Sequence, residues 1–94
     1  MNEVIQIDQQ EMQEELKNES AVLVDIREEL EFADFNIGGI NIPAHLINER
    51  QHLLENFTTL ILACSNGTRS HILSRVFLKK FPEKRILHLK EGIY

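Results

Sequence analysis

One stretch of the chain decides the expected fold: Leu60-Ile61-Leu62-Ala63-Cys64-Ser65-Asn66-Gly67-Thr68-Arg69-Ser70. Four apolar residues lead directly into the only cysteine, and small, polar and glycine residues follow it before a helical pattern begins. This order predicts a buried strand, a tight loop and a helix. Such a loop turns backbone N–H groups towards the sulfur, and the helix adds its positive N-terminal end. A thiol placed there ionises easily, and the thiolate is the nucleophile.

A lone cysteine after an apolar strand is in most cases a small buried hydrophobe. The residues that follow Cys64 favour a reactive group instead, because Ser65 and Asn66 lack bulk and Gly67 permits a positive φ. A loop built this way, with Thr68 before the arginine, directs several N–H groups at one point. We therefore expect the pKa of Cys64 to lie about one to three units below that of a free thiol.

Arg69 stands where the helix begins, and a cation there opposes the helix dipole. We expect it either to hold an anion or to pair with a carboxylate. Ser70 is expected to cap or solvate the first turn, and His71 to lie on the helix surface. No pair of histidines stands at metal-ligand spacing with the cysteine, so no metal site is predicted.

The composition bounds the class of protein. The chain has 94 residues, of which 43% are hydrophobic and 27% charged, which is typical of one soluble globular domain covering residues 1–94. No apolar run approaches the ~20 residues of a membrane helix, and no signal peptide is visible at the start. One cysteine allows no internal disulfide, which favours the reducing cytoplasm.

Charge is spread unevenly along the chain. Residues 1–49 carry two basic and twelve acidic side chains, a net charge of −10, whereas residues 50–94 carry eight basic and three acidic ones, a net charge of +5. The overall charge of −5 disfavours nucleic acid and anionic membranes as partners. The basic half contains Cys64, which favours an anionic substrate, although attraction between the two halves across the fold explains the same pattern.

Strand patterns alternate with helix patterns along the chain. Strands are predicted over 4–7, 21–24, 40–42, 60–63 and 86–89, and helices over 9–18, 28–35, part of 44–56, and after the cysteine loop. Leu30 and Ala33 are expected to face inward, as is a stripe on the last helix made of Ile72, Leu73, Val76, Phe77 and Phe81. The alternation predicts an α/β fold, a parallel sheet with helices on both faces.

Two polar residues follow predicted strands directly. Asp25 follows Val22–Val24, and Cys64 follows Leu60–Ala63. Because ligands of such sheets bind beyond the carboxyl ends of the strands, we expect Asp25 and Arg27 to flank the cysteine loop. They are either ordinary helix-entry residues or supports that hydrogen bond to the backbone of the loop.

At this point the chain resembles the rhodanese-like family of single-domain sulfurtransferases. Three segments carry the resemblance: Val22-Leu23-Val24-Asp25-Ile26-Arg27-Glu28 for the strand ending in Asp-x-Arg, Glu31–Pro43 for the E-[YF]-x-x-G-H-I-x-G-A-x-N-I-P segment, and Cys64–Ser70 for the C-x-x-G-x-R-S active loop. Their order and spacing agree with the family. Phe35-Asn36 and Gly38 depart from the usual Gly-His and Pro, and Glu91-Gly92-Ile93-Tyr94 departs from the usual Gly-Gly-Ile-x-x-Trp.

The resemblance implies a rhodanese-like three-layer fold with a parallel sheet of about five strands. It also implies that Cys64 takes a sulfane sulfur from thiosulfate or a protein persulfide and holds it as a persulfide within the N–H groups of Ser65 to Ser70. A thiol, another nucleophile or a cysteine of a partner protein then accepts the sulfur. Neither a metal nor an organic cofactor is implied, and the oligomeric state is left open.

Two other functions fit the same pattern. Cysteine phosphatases use C-x₅-R, but four residues separate Cys64 from Arg69, and this smaller ring favours one sulfur atom over a phosphate. Rhodanese-like domains also serve as non-catalytic interaction modules, usually without the cysteine, so the intact loop favours transfer chemistry.

Overall fold

The structure, a computed structural model, describes residues 3–94. One parallel sheet forms its centre, with the strand order β1-β5-β4-β2-β3. The strands are β1 (Ile5–Ile7), β2 (Ala21–Asp25), β3 (Ile40–Asn41), β4 (Thr59–Ala63) and β5 (Arg85–Leu89). The predicted parallel α/β sheet is therefore confirmed, and the strand that leads into Cys64 lies in the middle of it.

Four α-helices connect the strands: α1 (Gln9–Glu15), α2 (Glu29–Asp34), α3 (Ile47–Arg50) and α4 (Thr68–Lys80). Short 3₁₀ turns over Ala44–Leu46 and Gln51–Leu54 flank α3. Asp8 caps α1, because its carboxylate accepts the Glu11 N–H at 2.8 Å and the Glu11 side chain accepts the Asp8 N–H at 3.1 Å. No helix within residues 3–94 has the length and apolar character needed to cross a membrane.

The sheet separates two apolar layers. Successive residues of a strand point to opposite faces, so Leu60 and Leu62 of β4 pack with Phe77 of α4, whereas Ile61 and Ala63 pack with Met12 of α1. The helices α4 and α1 therefore cover opposite faces, as predicted. The loop after β4 lies at the carboxyl edge, between the end of the sheet and the first turn of α4.

The inward faces of α2 and α4 differ from the predicted ones. Leu30 is 85% exposed and Ala33 is exposed as well, and α2 buries none of its residues. In α4, Ile72 is 67% exposed, whereas Ser70, Ser74 and Phe77 are buried. The face of α4 that meets the sheet is polar near its N-terminus because that end faces the cysteine loop instead of the apolar core.

Candidate active site

The cysteine loop is a sharp strand-to-helix turn. Cys64 follows the last residue of β4, and α4 begins only four residues later at Thr68. Gly67 makes the turn with φ of +89°, a left-handed conformation that other residues adopt only with strain. A Cβ at this position would also overlap the carbonyl oxygen of Lys90. Glycine is thus required here for both conformation and space.

Backbone N–H groups approach the cysteine sulfur from the loop and the helix. The Ser70 N–H donates a hydrogen bond to Cys64 Sγ, with 3.3 Å between nitrogen and sulfur. Burial works against ionisation of the thiol, but hydrogen bonds from the Ser70 hydroxyl and amide and from the Asn66 and Gly67 amides outweigh it. The pKa of Cys64 is therefore lowered, in the direction expected from the sequence.

The remaining loop groups have other partners. The Thr68 N–H donates to Asn66 Oδ1 at 3.0 Å, which closes a small turn ahead of the helix. Ser65 Oγ accepts a hydrogen bond from Arg69 at 2.9 Å. Some N–H groups of the loop therefore act on the sulfur, whereas the Thr68 N–H stabilises the turn itself.

The last residues of the chain support the loop from one side. The Ile93 N–H donates to the Cys64 carbonyl at 2.9 Å, and the Tyr94 N–H donates to the Ser65 carbonyl at 3.3 Å. Gly92 has φ of +82°, and a Cβ there would overlap the Ser65 carbonyl oxygen. The loop and residues 92–94 are thus in direct backbone contact.

Arg69 is paired with a carboxylate, which is one of its two expected roles. Its guanidinium binds both Glu31 carboxylate oxygens at 3.0 Å, in the bidentate geometry that suits arginine. The Arg69 side chain holds the pKa of Glu31 at about 2, with help from the Glu28 amide. The ion pair joins α2 to α4 beside the cysteine loop, and Arg69 is close enough to feel the charge of Cys64.

Asp25 and Arg27 form a buried ion pair at the end of β2. Neither side chain has exposed surface, and Arg27 Nη2 lies 2.8 Å from Asp25 Oδ2. Arg27 also donates to the Phe35 carbonyl at 2.6 Å and to the Tyr94 hydroxyl at 3.3 Å. Within residues 3–94, neither side chain hydrogen bonds to the backbone of the cysteine loop. Arg27 supports the loop indirectly, because it donates to the Tyr94 hydroxyl and the Tyr94 N–H donates to the Ser65 carbonyl.

Sequence reasoning assigned no role to His88, although it lies next to the site. His88 is 2% exposed and occupies β5 among apolar neighbours. Its Nε2 lies 2.7 Å from Ser70 Oγ and its Nδ1 lies 2.7 Å from Gln6 Oε1. One signal for it was available, because a polar residue within an otherwise apolar buried strand needs a hydrogen-bond partner.

The sulfur of Cys64 is closed off from solvent. Cys64 has no exposed surface in this conformation, so any reaction at Sγ includes a movement that uncovers it.

His71 is exposed, with its ring centroid 5.6 Å from that of His88. In the described part of the chain, no three His, Cys, Asp or Glu side chains are grouped so that they could hold a metal ion.

Solved structures with a similar fold include reduced CoADR-RHD of Bacillus anthracis, with a TM-score of 0.78 and 22% identity over 95% of this chain. This chain spans only 16% of the length of that protein. A Staphylococcus saprophyticus protein has a TM-score of 0.73 and 23% identity, covering 95% of this chain and 89% of its own. A Rhodopseudomonas palustris protein described as a possible tyrosine phosphatase has a TM-score of 0.72 and 16% identity, covering 97% of this chain and 76% of its own.

No curated protein matches the chain significantly. The model of the rhodanese-like domain matches residues 8–94. That range includes the Asp25–Arg27 pair, the cysteine loop and the supporting residues 92–94. The resemblance noted in the sequence is confirmed, and the chain belongs to the family of rhodanese-like domains.

Proposed function

We propose that this protein is a sulfurtransferase in which Cys64 carries the sulfur. The observation that carries the proposal is the contact between Cys64 Sγ and the Ser70 amide at 3.3 Å, at the N-terminus of α4. Together with the Asn66 and Gly67 amides it lowers the pKa of the thiol, and a thiolate is the form that attacks a sulfane sulfur.

The proposed reaction has two steps. The Cys64 thiolate attacks the outer sulfur of thiosulfate or of a protein persulfide, a new S–S bond forms, and the donor leaves with the electron pair of the broken bond as sulfite or a thiolate. An acceptor thiolate then attacks the outer sulfur of the Cys64 persulfide, and Cys64 leaves as a thiolate. The loop amides stabilise the negative sulfur before and after each transfer, and ping-pong kinetics follow.

The state of Arg69 favours sulfur over phosphate as the transferred group. A phosphate-binding arginine directs its guanidinium at the anion, whereas Arg69 uses both ends of its guanidinium on Glu31. The loop amides that lower the Cys64 pKa are gathered around one atom. This arrangement suits a single sulfur better than the oxygens of a phosphate group.

Access requires a local movement that the proposal includes. Cys64 has no exposed surface, and the half-exposed Arg69–Glu31 pair lies beside it. The proposed reaction therefore includes a local opening of the cysteine loop beside this pair. The lone cysteine is compatible with a cytoplasmic location and a thiol acceptor. The net charge of +5 in the half of the chain that contains Cys64 favours a small anionic donor.

The test is intact-mass measurement after treatment with thiosulfate or a glutathione persulfide, followed by addition of a thiol acceptor. We expect a gain of one sulfur on the protein, its loss to the acceptor, and neither event in Cys64→Ala. That variant should fold, because removing a small buried group costs about 1–2 kcal/mol. No adduct with either donor would favour an interaction module, and aryl phosphate hydrolysis that is lost in Cys64→Ser would favour a phosphatase.

A further inference from the structure

His88 lies directly behind the cysteine loop. In the sheet it is opposite Gln6 of β1 and Leu62 of β4. Its Nε2 faces two loop residues, at 2.7 Å from Ser70 Oγ and 3.2 Å from the Gly67 carbonyl oxygen. Gly67 and Ser70 are also two of the residues whose N–H groups act on the sulfur. One buried imidazole nitrogen therefore contacts two of the residues that hold Cys64.

The Gly67 carbonyl determines which ring nitrogen carries a proton. A carbonyl oxygen only accepts hydrogen bonds, so a favourable contact at 3.2 Å requires a hydrogen on His88 Nε2. The same Nε2–H donates to Ser70 Oγ at 2.7 Å. A ring protonated only on Nδ1 would turn a lone pair towards the carbonyl and would draw the Ser70 hydroxyl proton to itself.

With Nε2 as donor, the Ser70 hydroxyl must direct its own proton elsewhere. One acceptor is the Gly67 carbonyl at 3.4 Å, but that oxygen already receives the His71 N–H at 3.0 Å and faces Nε2. The other acceptor is Cys64 Sγ, whose pKa the Ser70 hydroxyl lowers together with the Ser70 amide. A thiolate is the stronger acceptor because it is charged, so we infer that the hydroxyl donates to the sulfur.

Gln6 fixes the ring from the opposite side. Its side-chain amide lies 2.7 Å from His88 Nδ1, and a half-turn of the amide exchanges its oxygen for its nitrogen at that place. The structure places the oxygen there, which suits a ring protonated on Nδ1. The half-turn brings the amide nitrogen to Nδ1 instead and suits the neutral ring with its proton on Nε2, the form that the contact with the Gly67 carbonyl requires.

We propose that His88 is a positioning residue for the Cys64 chemistry: its Nε2–H holds Gly67 and Ser70 so that the Ser70 hydroxyl donates to the sulfur, and Gln6 holds the ring. This inference rests on Cys64 being the reacting group. Burial lowers the pKa of His88, which keeps the ring neutral near pH 7. The other charged or titratable groups around this arrangement are His71 beside the ring, Lys90 on the same cleft and Arg69 near the sulfur.

The test compares His88→Phe with His88→Gln by the pH dependence of Cys64 alkylation with iodoacetamide. Phenylalanine keeps a ring but has no donor, and we expect the midpoint to rise by about one unit, a roughly tenfold lower thiolate fraction below the midpoint. Glutamine places an amide N–H near the Nε2 position, so the midpoint of His88→Gln should lie close to the wild-type value. The matched control His52→Phe, at an exposed position in the 3₁₀ turn Gln51–Leu54, should keep the wild-type midpoint.

The midpoint separates positioning from mere structural support. It reports ionisation of the sulfur and does not depend on how easily the reagent reaches it. If His88→Phe fails to fold by circular dichroism, Gln6→Leu at the exposed edge strand replaces it, and we expect a smaller rise in the same direction. A wild-type midpoint in a folded His88→Phe or Gln6→Leu protein, or an equal shift in His88→Phe and His88→Gln, would overturn the proposal.

Failure of the sulfurtransferase function would look different. Alkylation uses no sulfur donor, so a Cys64 midpoint that depends on His88 supports the positioning role whether or not thiosulfate forms an adduct. Absence of the adduct in a wild-type protein with a lowered midpoint would remove the sulfurtransferase proposal alone.

Discussion

The ends of β2 and β4 lie side by side at one edge of the sheet, and both bury a group that forms an anion. Asp25 pairs in register with Ala63, the residue before Cys64. At the end of β2 the anion meets a full positive charge, because Arg27 binds the Asp25 carboxylate and neither side chain is exposed. At the end of β4 the sulfur is hydrogen bonded to amides and a hydroxyl, and Arg69 acts on it through its charge while it is paired with Glu31.

This difference separates a structural anion from a reactive one. A guanidinium neutralises a carboxylate permanently and fixes the backbone around it. Dipoles stabilise an anion without neutralising it, so a thiolate held by amides keeps an electron pair available for attack. Substitutions can disturb one end at a time, or the Arg69–Glu31 pair beside the cysteine loop.

The largest effect should come from Arg27→Leu. Removal of the guanidinium leaves the Asp25 carboxylate buried without a partner, and we expect a loss of about 3–5 kcal/mol in the free energy of unfolding. Urea unfolding measures this loss. Arg85→Leu is the matched control, because it breaks a half-exposed pair with Glu15 and should cost less than about 1 kcal/mol. Equal losses in the two variants would contradict the comparison.

Gly67→Val should have the next largest effect, this time at the end of β4. Valine at φ of +89° is strained, and its Cβ would overlap the Lys90 carbonyl, so we expect a loss of about 2–4 kcal/mol. The turn would also move its amides, and the alkylation midpoint of Cys64 should rise.

Gly38→Val is the matched control for Gly67→Val. Gly38 has φ of +99° with nothing within 4 Å of its added Cβ, so only backbone strain of about 1–2 kcal/mol is expected. Its Cys64 midpoint should stay at the wild-type value. A midpoint that rises equally in both variants would show that general destabilisation, and not the loop amides, controls the thiol.

Glu31→Gln should have the smallest effect. The Arg69 side chain lowers the pKa of Glu31 from 4.5 to about 2, so the ion pair stabilises the folded state above about pH 4.5 and loses this effect as the pH falls towards 2. The pair is partly exposed, and we expect a cost of no more than about 1 kcal/mol at pH 7. Urea unfolding at pH 7 and pH 2 should show the difference from wild type disappearing in acid.

Glu49→Gln, a change at an exposed carboxylate elsewhere on the surface, provides the comparison for Glu31→Gln. Its unfolding free energy should match that of the wild type at both pH values. A Glu31→Gln difference that stays constant between pH 7 and pH 2 would mean that the ion pair does not cause it.

The sheet could be predicted from the sequence because its signals are local. Continuous apolar runs such as Leu60–Ala63 and the alternation of strands with helices are sufficient to indicate a parallel α/β fold. The cysteine loop was also visible, because its glycine and small residues follow the strand directly. The lowered pKa of Cys64 was expected for the same reason.

The pairings of Gln6 with His88 and of Glu31 with Arg69 could not be predicted, because these residues meet only through the fold. Gln6 and His88 are 82 residues apart in sequence, and Glu31 and Arg69 are 38 apart. The inward face of α4 was misjudged at Ile72 because periodicity assumes an apolar core along the whole helix, whereas its first turn packs against a polar loop. Leu30 was misjudged because the six residues of α2 do not pack into the core.

The contacts of Cys64 and Ser65 with Ile93 and Tyr94 have a consequence for the chemistry of the unfolded chain. These hydrogen bonds join segments that are distant in sequence, so they exist only while the tertiary structure is intact. We expect Cys64 to be an ordinary, weakly reactive thiol in the unfolded protein. Its reactivity would then report on the integrity of the fold around it.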